Sequence, residues 1–345
     1  MQVYLDKIKE IVYDYHRPLT DESILLWINQ FDEDDRIFLL NEVINILERT
    51  YISESSSESI LNEFIDYLSQ SYLQIDIEEL FNNITFINYQ GSQKSQSILL
   101  NKLNDLLYIT YRRQISYNDY SKKYLLYIDD NLSSGGTFKK DIIELITNVT
   151  PAQFVSEDKQ IISFFFFLHT FGFSNSKFSL ELEYPGILGN RIHSIYLNEI
   201  QNNPRINYYN PSPIFNHAYA KDENNPRVHD YLNNLEITRP YTMANRVFAF
   251  RPNNLPVTET FFTSAEARDR YERIILNKGL DIIDTIGTCS SSTRPLGFTP
   301  PSHQTLGLGS HVFTWRNTSN TCPIVYWWER NGWHPLLPVQ NRGQN

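Results

Sequence analysis

The residues best suited to chemistry lie in Tyr124-Leu-Leu-Tyr-Ile-Asp129-Asp130-Asn-Leu-Ser133-Ser134-Gly135-Gly136-Thr137. Two adjacent carboxylates end an apolar run, a turn of small residues follows, and a helical pattern begins. A helix N-terminus carries unsatisfied N–H groups and the positive end of the helix dipole, so it attracts phosphate. Gly135 and Gly136 let the backbone approach such a group closely, and the hydroxyls of Ser133, Ser134 and Thr137 add hydrogen bonds. Asp129 and Asp130 can accept hydrogen bonds from the vicinal hydroxyls of a ribose. A carboxylate also suits Mg²⁺, which a pyrophosphate-bearing substrate carries. The competing reading is a purely structural turn, but neighbouring carboxylates at a strand end repel unless something positive or hydroxylated meets them.

A second polar segment, Gly91-Ser92-Gln93-Lys94-Ser95-Gln96, precedes a helical pattern in the same way. Lys94 would meet a pyrophosphate as a point charge, although a lone lysine in a polar loop is usually only solvated. Arg294 stands in a Gly-, Pro- and Ser-rich stretch reaching Ser310. It can meet a phosphate or a base, or its loop can simply pack the C-terminal hairpin, and both readings stay open. No HExxH pair, GxSxG elbow or P-loop occurs, and no direct protein cluster for a metal is apparent.

The elements that must position these loops follow from periodicity. Residues 1–80 read as helices, with Thr20 to Ser23 as a capping region and Trp27, Phe31 and Phe38 as core. Ile84–Tyr89, Tyr124–Ile128 and Ile161–Leu168 read as strands, alternating with helices over 98–109 and 138–149. Apolar strands alternating with helices predict a mostly parallel sheet flanked by helices, with ligands beyond the carboxyl ends of the strands. Arg191–Leu197 is a further strand candidate, 201–226 reads as loop, and 265–277 reads as a charged helix. Val312–Trp315 and Ile324–Trp328 are expected to pair as a hairpin, with the late tryptophans chiefly in packing. The expected organisation is a helical region (1–80), an α/β core (81–260), and a helix plus β-hairpin extension (261–345) packed on that core.

Composition narrows the class. The chain has 345 residues, 41% hydrophobic and 20% charged, which fits a globular protein. A net charge of −10 argues against a surface-wide nucleic-acid footprint; Arg239, Arg246 and Arg251 could still form a local patch. Cys289 and Cys322 are too few for a disulfide framework and read as reduced thiols. Met1 to His16 has no signal-peptide apolar centre, and no apolar run is long enough to span a membrane, so the expected location is the cytoplasm.

The stretch from Tyr124 to Thr137 resembles the fingerprint of the phosphoribosyltransferases, with the spacing of the purine enzymes. The resemblance implies a type I phosphoribosyltransferase-like fold, with Asp129 and Asp130 on the ribose hydroxyls and Ser133, Ser134, Gly135, Gly136 and Thr137 on the 5-phosphate. It implies that Gly91, Ser92, Gln93 and Lys94 form a pyrophosphate loop. Where several purine enzymes carry an acid as general base, this chain has Ser133, so the proton-transfer residue is left open. Three stretches are similar to the phosphoribosyltransferase-like effectors of bacterial conflict systems: Trp27 to Asp32, Asp129 to Thr137, and the motifs from Arg294 to Trp328. That similarity implies a toxic anti-phage effector making or breaking an N-glycosidic bond of a nucleotide or ribosylated substrate. Its expected partners are that substrate and, in retrons, a reverse transcriptase with its small DNA–RNA product. Mg²⁺ with a phosphoribosyl pyrophosphate-like ligand is the cofactor implied. The alternative is a non-catalytic module that binds a phosphoribosyl ligand or nucleotide and signals to, or docks on, such a partner.

Overall fold

The computed structural model describes residues 1–206, 208, 210–235, 248–286, 290–301 and 303–340. Cys289, Arg239 and Arg246 lie outside these residues. The chain forms two compact units. One comprises Met1–Glu54 together with Ile200–Asn345, and the other Ser55–Glu199. The boundaries drawn from sequence fell at 80 and 260.

The discontinuous unit begins with α1 (Gln2–Ile11), α2 (Asp21–Ile28), α3 (Glu33–Thr50) and β1 (Tyr51–Ile52). Helix α2 starts at a capping box: Ser23 N–H donates to Thr20 Oγ1 and Thr20 N–H donates to Ser23 Oγ. Trp27 and Phe31 are buried, and Trp27 Nε1 donates to the Val325 carbonyl at 3.0 Å.

The continuous unit carries α4 (Glu54–Tyr67), α5 (Ile77–Asn83), β2 (Ile84–Phe86), α6 (Ser95–Tyr111), β3 (Tyr124–Leu132), α7 (Gly136–Val149), α8 (Pro151–Ser156), β4 (Gln160–His169), α9 (Thr170–Glu183) and β5 (Ile192–Ile200). The sheet order is β2-β3-β4-β5. β2 and β3 pair in parallel, as do β3 and β4. The protein is thus α/β with a parallel sheet flanked by helices, as the alternation predicts. Its core stacks Leu125, Tyr127 and Phe165 of the strands on Phe138, Ile142 and Leu145 of α7. Phe138 meets Tyr127 and Phe165 edge-on, with centroids 5.0 and 5.9 Å apart.

After β5 the chain returns to the first unit with α10 (Pro226–Asn234), α11 (Ala265–Thr285), β6 (Phe313–Thr314) and β7 (Asn317–Thr318). β6 pairs with β1 in parallel and with β7 antiparallel. The hairpin is therefore tighter than expected, closing within 313–318. Ile324–Tyr326 is not its second strand but a short 3₁₀ turn. Pro323 begins that turn and cannot donate to a ladder. Tyr326 is wholly buried and bonds Tyr271 of α11 through its hydroxyl, at 2.5 Å.

Helix α11 anchors its unit through buried charge. Arg268 donates to Glu259, to Glu272 at 3.1 Å, and to the carbonyls of Phe215 and His217 at 2.6 and 2.7 Å. Arg251, expected in a basic surface patch, is instead buried, with Nη2 2.5 Å from Asp269 and 3.2 Å from Glu272. Its charge is spent inside the fold. Among the described residues no helix is long and apolar enough to cross a membrane.

Removing one partner of a buried charged network strands the others. Arg268→Ala is expected to lower stability by roughly 3–5 kcal/mol, read as a lower urea midpoint. Arg268→Lys should recover only part of the loss, because one ammonium cannot serve four separated acceptors.

Candidate functional site

β3 runs further than the apolar pattern alone predicts. Pairing with β4 continues through Asp129↔Phe165, Asn131↔Phe167 and Leu132↔Leu168. Both aspartates therefore lie within the strand. The loop shrinks to Ser133–Gly135, and α7 begins at Gly136. Neighbouring residues of a strand point to opposite faces. Asp129 thus shares the face of Tyr127, towards α7, while Asp130 leaves on the other side.

Asp129 is buried, and its carboxylate gathers three segments. Ser95 Oγ donates to Oδ1 at 2.5 Å, as does the Asp130 N–H at 2.9 Å. Gln90 Nε2 donates to Oδ2 at 3.2 Å. The same amide lies 3.2 Å from Asp141 Oδ2 and 2.9 Å from the Tyr127 hydroxyl, which itself donates to Asp141 at 2.9 Å. Burial, reinforced by the charge of Asp130, pushes the Asp129 carboxyl up to about 7 despite these donors. Burial also raises Asp141.

None of Gln90, Ser95, Tyr127 and Asp141 was singled out from the sequence. Asp141 had a signal, since it sits one residue before Ile142 on the inward stripe of α7, where a charge demands a reason. Gln90 and Ser95 had none beyond their polar loop.

The small-residue turn is fixed by two glycines. Gly135 has φ +77° and caps α7 from the left-handed region. A Cβ there would overlap Ser176 Oγ, and one on Gly172 would overlap the Ser133 carbonyl oxygen. The turn is thereby pressed onto the first turns of α9. His169, at the end of β4, places Nδ1 3.1 Å from that same carbonyl. Asn131 Nδ2 donates to Ser133 Oγ at 2.8 Å. Ser134, Gly136 and Thr137 remain exposed, beside the N–H groups that a first helical turn leaves without intrahelical acceptors. The chain thus offers hydroxyls and amide donors to an anion at the carboxyl end of the sheet.

The upstream loop is open. Gly91, Ser92, Gln93 and Lys94 are all exposed, and Lys94 N–H closes a turn on the Gly91 carbonyl at 2.8 Å. Lys94 directly precedes α6, whose first residue, Ser95, is the one that grips Asp129. Both polar loops therefore belong to one unit and are linked by that hydrogen bond. Arg294 belongs to the other unit. It is buried and donates to the carbonyls of Ser291 and Thr293 at 2.6 and 2.9 Å. Among the described residues no group of three or more His, Cys, Asp or Glu could hold a metal. Asp130 is half-buried on the opposite face of β3 from Asp129.

Two outcomes follow. Asp129 holds its proton to about pH 7 when folded, but to only ~3.9 when unfolded. Its contribution to stability is therefore greatest at low pH and declines as pH rises through that window. Asp129→Asn does not titrate. Its Tm relative to wild type should rise by a few degrees between pH 5 and pH 8, given ~2–4 °C per kcal/mol for a domain of this size. Gly172→Ala should displace the 133–135 turn and weaken binding of ribose 5-phosphate at least tenfold in calorimetry, with the far-ultraviolet circular dichroism unchanged.

The PRTase-CE family model matches residues 24–339. No curated protein matches the sequence.

Proposed function

The chain belongs to the PRTase-CE family, which is phosphoribosyltransferase-like, and from that premise we propose that it makes or breaks an N-glycosidic bond at C1 of a ribose 5-phosphate. The observation that carries the reading is the passage from β3 through Asp130 and the glycine-locked turn into α7. It supports the reading because a carboxylate, hydroxyls and a helix N-terminus follow one another there.

In the transfer direction, the bond from C1 to a pyrophosphate oxygen breaks and its electron pair leaves with the pyrophosphate. A nitrogen of the acceptor forms the new bond to C1 and sheds a proton. Positive charge develops on the ribose between these events, so fixed negative charge and held hydroxyls lower the barrier. Asp130 accepts hydrogen bonds from the ribose hydroxyls. Ser134, Thr137 and the first amides of α7 hold the 5-phosphate. Lys94 and the 91–94 turn meet the pyrophosphate. Mg²⁺, brought by the ligand, would neutralise phosphate charge next to Asp130. Asp129 acts through position: its carboxylate ties α6, and with it Lys94, to β3.

The biological role we propose is that of a toxic effector in bacterial anti-phage defence. It would act on a nucleotide or ribosylated substrate and be restrained by a partner such as a retron reverse transcriptase with its DNA–RNA product. The motifs from Trp27 to Asp32 and from Arg294 to Trp328 support this through their likeness to such effectors.

The test is nucleotide profiling by mass spectrometry in cells expressing wild type or Asp130→Asn, with and without a phage trigger. The expected result is loss of one nucleotide pool, or a new ribosylated product, with wild type alone. If the profiles match while phosphoribosyl pyrophosphate still binds the purified protein, catalysis is refuted and the site is a ligand sensor. Without binding either, the assignment of this loop fails.

A further inference from the structure

β5 ends the strand order β2-β3-β4-β5, so one side of it has no strand neighbour among the described residues. Its sequence, Ile192-His-Ser-Ile-Tyr196-Leu-Asn-Glu-Ile200, contains no lysine, proline or glycine, the residues that usually blunt an edge. Tyr196 and Leu197 are 40% and 49% exposed although they are consecutive. Consecutive strand residues face opposite sides of a sheet, so both faces are open at the middle of this edge. Helix α9 adds Phe178 and Leu182, one turn apart and each 67% exposed. Its Lys177 reaches the Ile192 carbonyl at 3.2 Å, which places this part of α9 beside the start of β5.

We infer that β5 is a homodimer interface, on which β5 of a second copy pairs antiparallel about a two-fold axis through Tyr196. The occupant is identified by the strand's self-complementarity. About Tyr196, Ile195 faces Leu197 and Ser194 faces Asn198 of the other copy. His193 falls opposite Glu199, an imidazole against a carboxylate. Moving the axis to Leu197 would set Ile195 against Glu199, and moving it to Ile195 would set His193 against Leu197. Neither register matches polarity, and cross-strand matching is what stabilises a sheet. Four strands from each copy form one eight-stranded sheet. Because the copies run antiparallel, their Ser133–Thr137 loops open at opposite ends of it.

The experiment uses the full chain. Sedimentation across micromolar concentrations is expected to give a particle of twice the 40.6 kDa chain. Tyr196→Lys sets two ammonium groups against each other at the axis. It should return the mass to that of the monomer with unchanged circular dichroism and Tm. Tyr196→Cys should form an intermolecular disulfide under mild oxidation at least tenfold faster than Tyr208→Cys, a collision control at a position 90% exposed. A monomeric wild type overturns the proposal. So does a Tyr196→Lys dimer, or a Tyr196→Cys chain that cross-links no faster than the control. The cysteine variant keeps the test decisive if the lysine variant fails to fold.

Discussion

A single buried carboxylate fixes the relation between the two polar loops. Asp129 draws a hydroxyl from the start of α6, an amide from β3 and a side-chain donor from the β2–α6 connection. Each donor offsets part of the cost of keeping this group out of water. If one is removed, the remaining partners hold an under-satisfied acid, at a cost of about 1–3 kcal/mol. The network closes on itself: the two N–H groups of Gln90 and the hydroxyl of Tyr127 supply three donors. Asp129 Oδ2, Asp141 Oδ2 and the Tyr127 oxygen supply three acceptors. The position of Lys94 is therefore set indirectly, by hydrogen bonds made one and four residues away from it.

The second constraint is steric. Gly172 and Gly135 bring the 133–135 turn into backbone contact with α9, closer than any residue with a Cβ permits. An anion site made of backbone amides works only if those amides are held still before the ligand arrives. The glycines provide that rigidity on one side, and His169 and Asn131 brace the same turn through Ser133. The 91–94 segment is built differently, as an exposed turn with one lysine.

What the sequence revealed and what it concealed divide along physical lines. The parallel core was legible because strands such as Ile161–Leu168, buried on both faces, leave a near-continuous apolar run, and the helices between them keep helical spacing. The candidate loop was legible because acids, small residues and a helix start are adjacent in the chain. Gly172 was not, since its role depends on Ser133 approaching from another loop. Asp129 read as a ligand-facing acid, yet its oxygens are committed to Ser95, Gln90 and a backbone amide. That commitment appears only once pairing with β4 carries β3 past Ile128. The discontinuous unit was hidden for a similar reason, because Met1–Glu54 and Ile200–Asn345 are joined by contacts such as Trp27 with Val325. Arg251 and Arg294 show the limit of reading charge as surface. Both are buried and hydrogen-bond inside the fold, and spacing along the chain does not encode burial.

These constraints imply a division of labour in the proposed reaction. The half proposed to meet ribose 5-phosphate is a turn fixed by close packing, so recognition there would cost little reorganisation. The half proposed to meet the leaving group is an exposed turn, so its ordering would be drawn from binding energy. Asp129 lies between the two halves, and burial pushes its carboxyl up to about 7. Burial is the main cause of that rise and the charge of Asp130 the lesser one, so a cation beside Asp130 would offset only the lesser part and shift Asp129 modestly towards ionisation. An ionised Asp129 in turn accepts more strongly from Ser95 and Gln90, which tightens the start of α6 behind Lys94. Filling the ribose side would then order the pyrophosphate side through one carboxylate, without movement of the sheet.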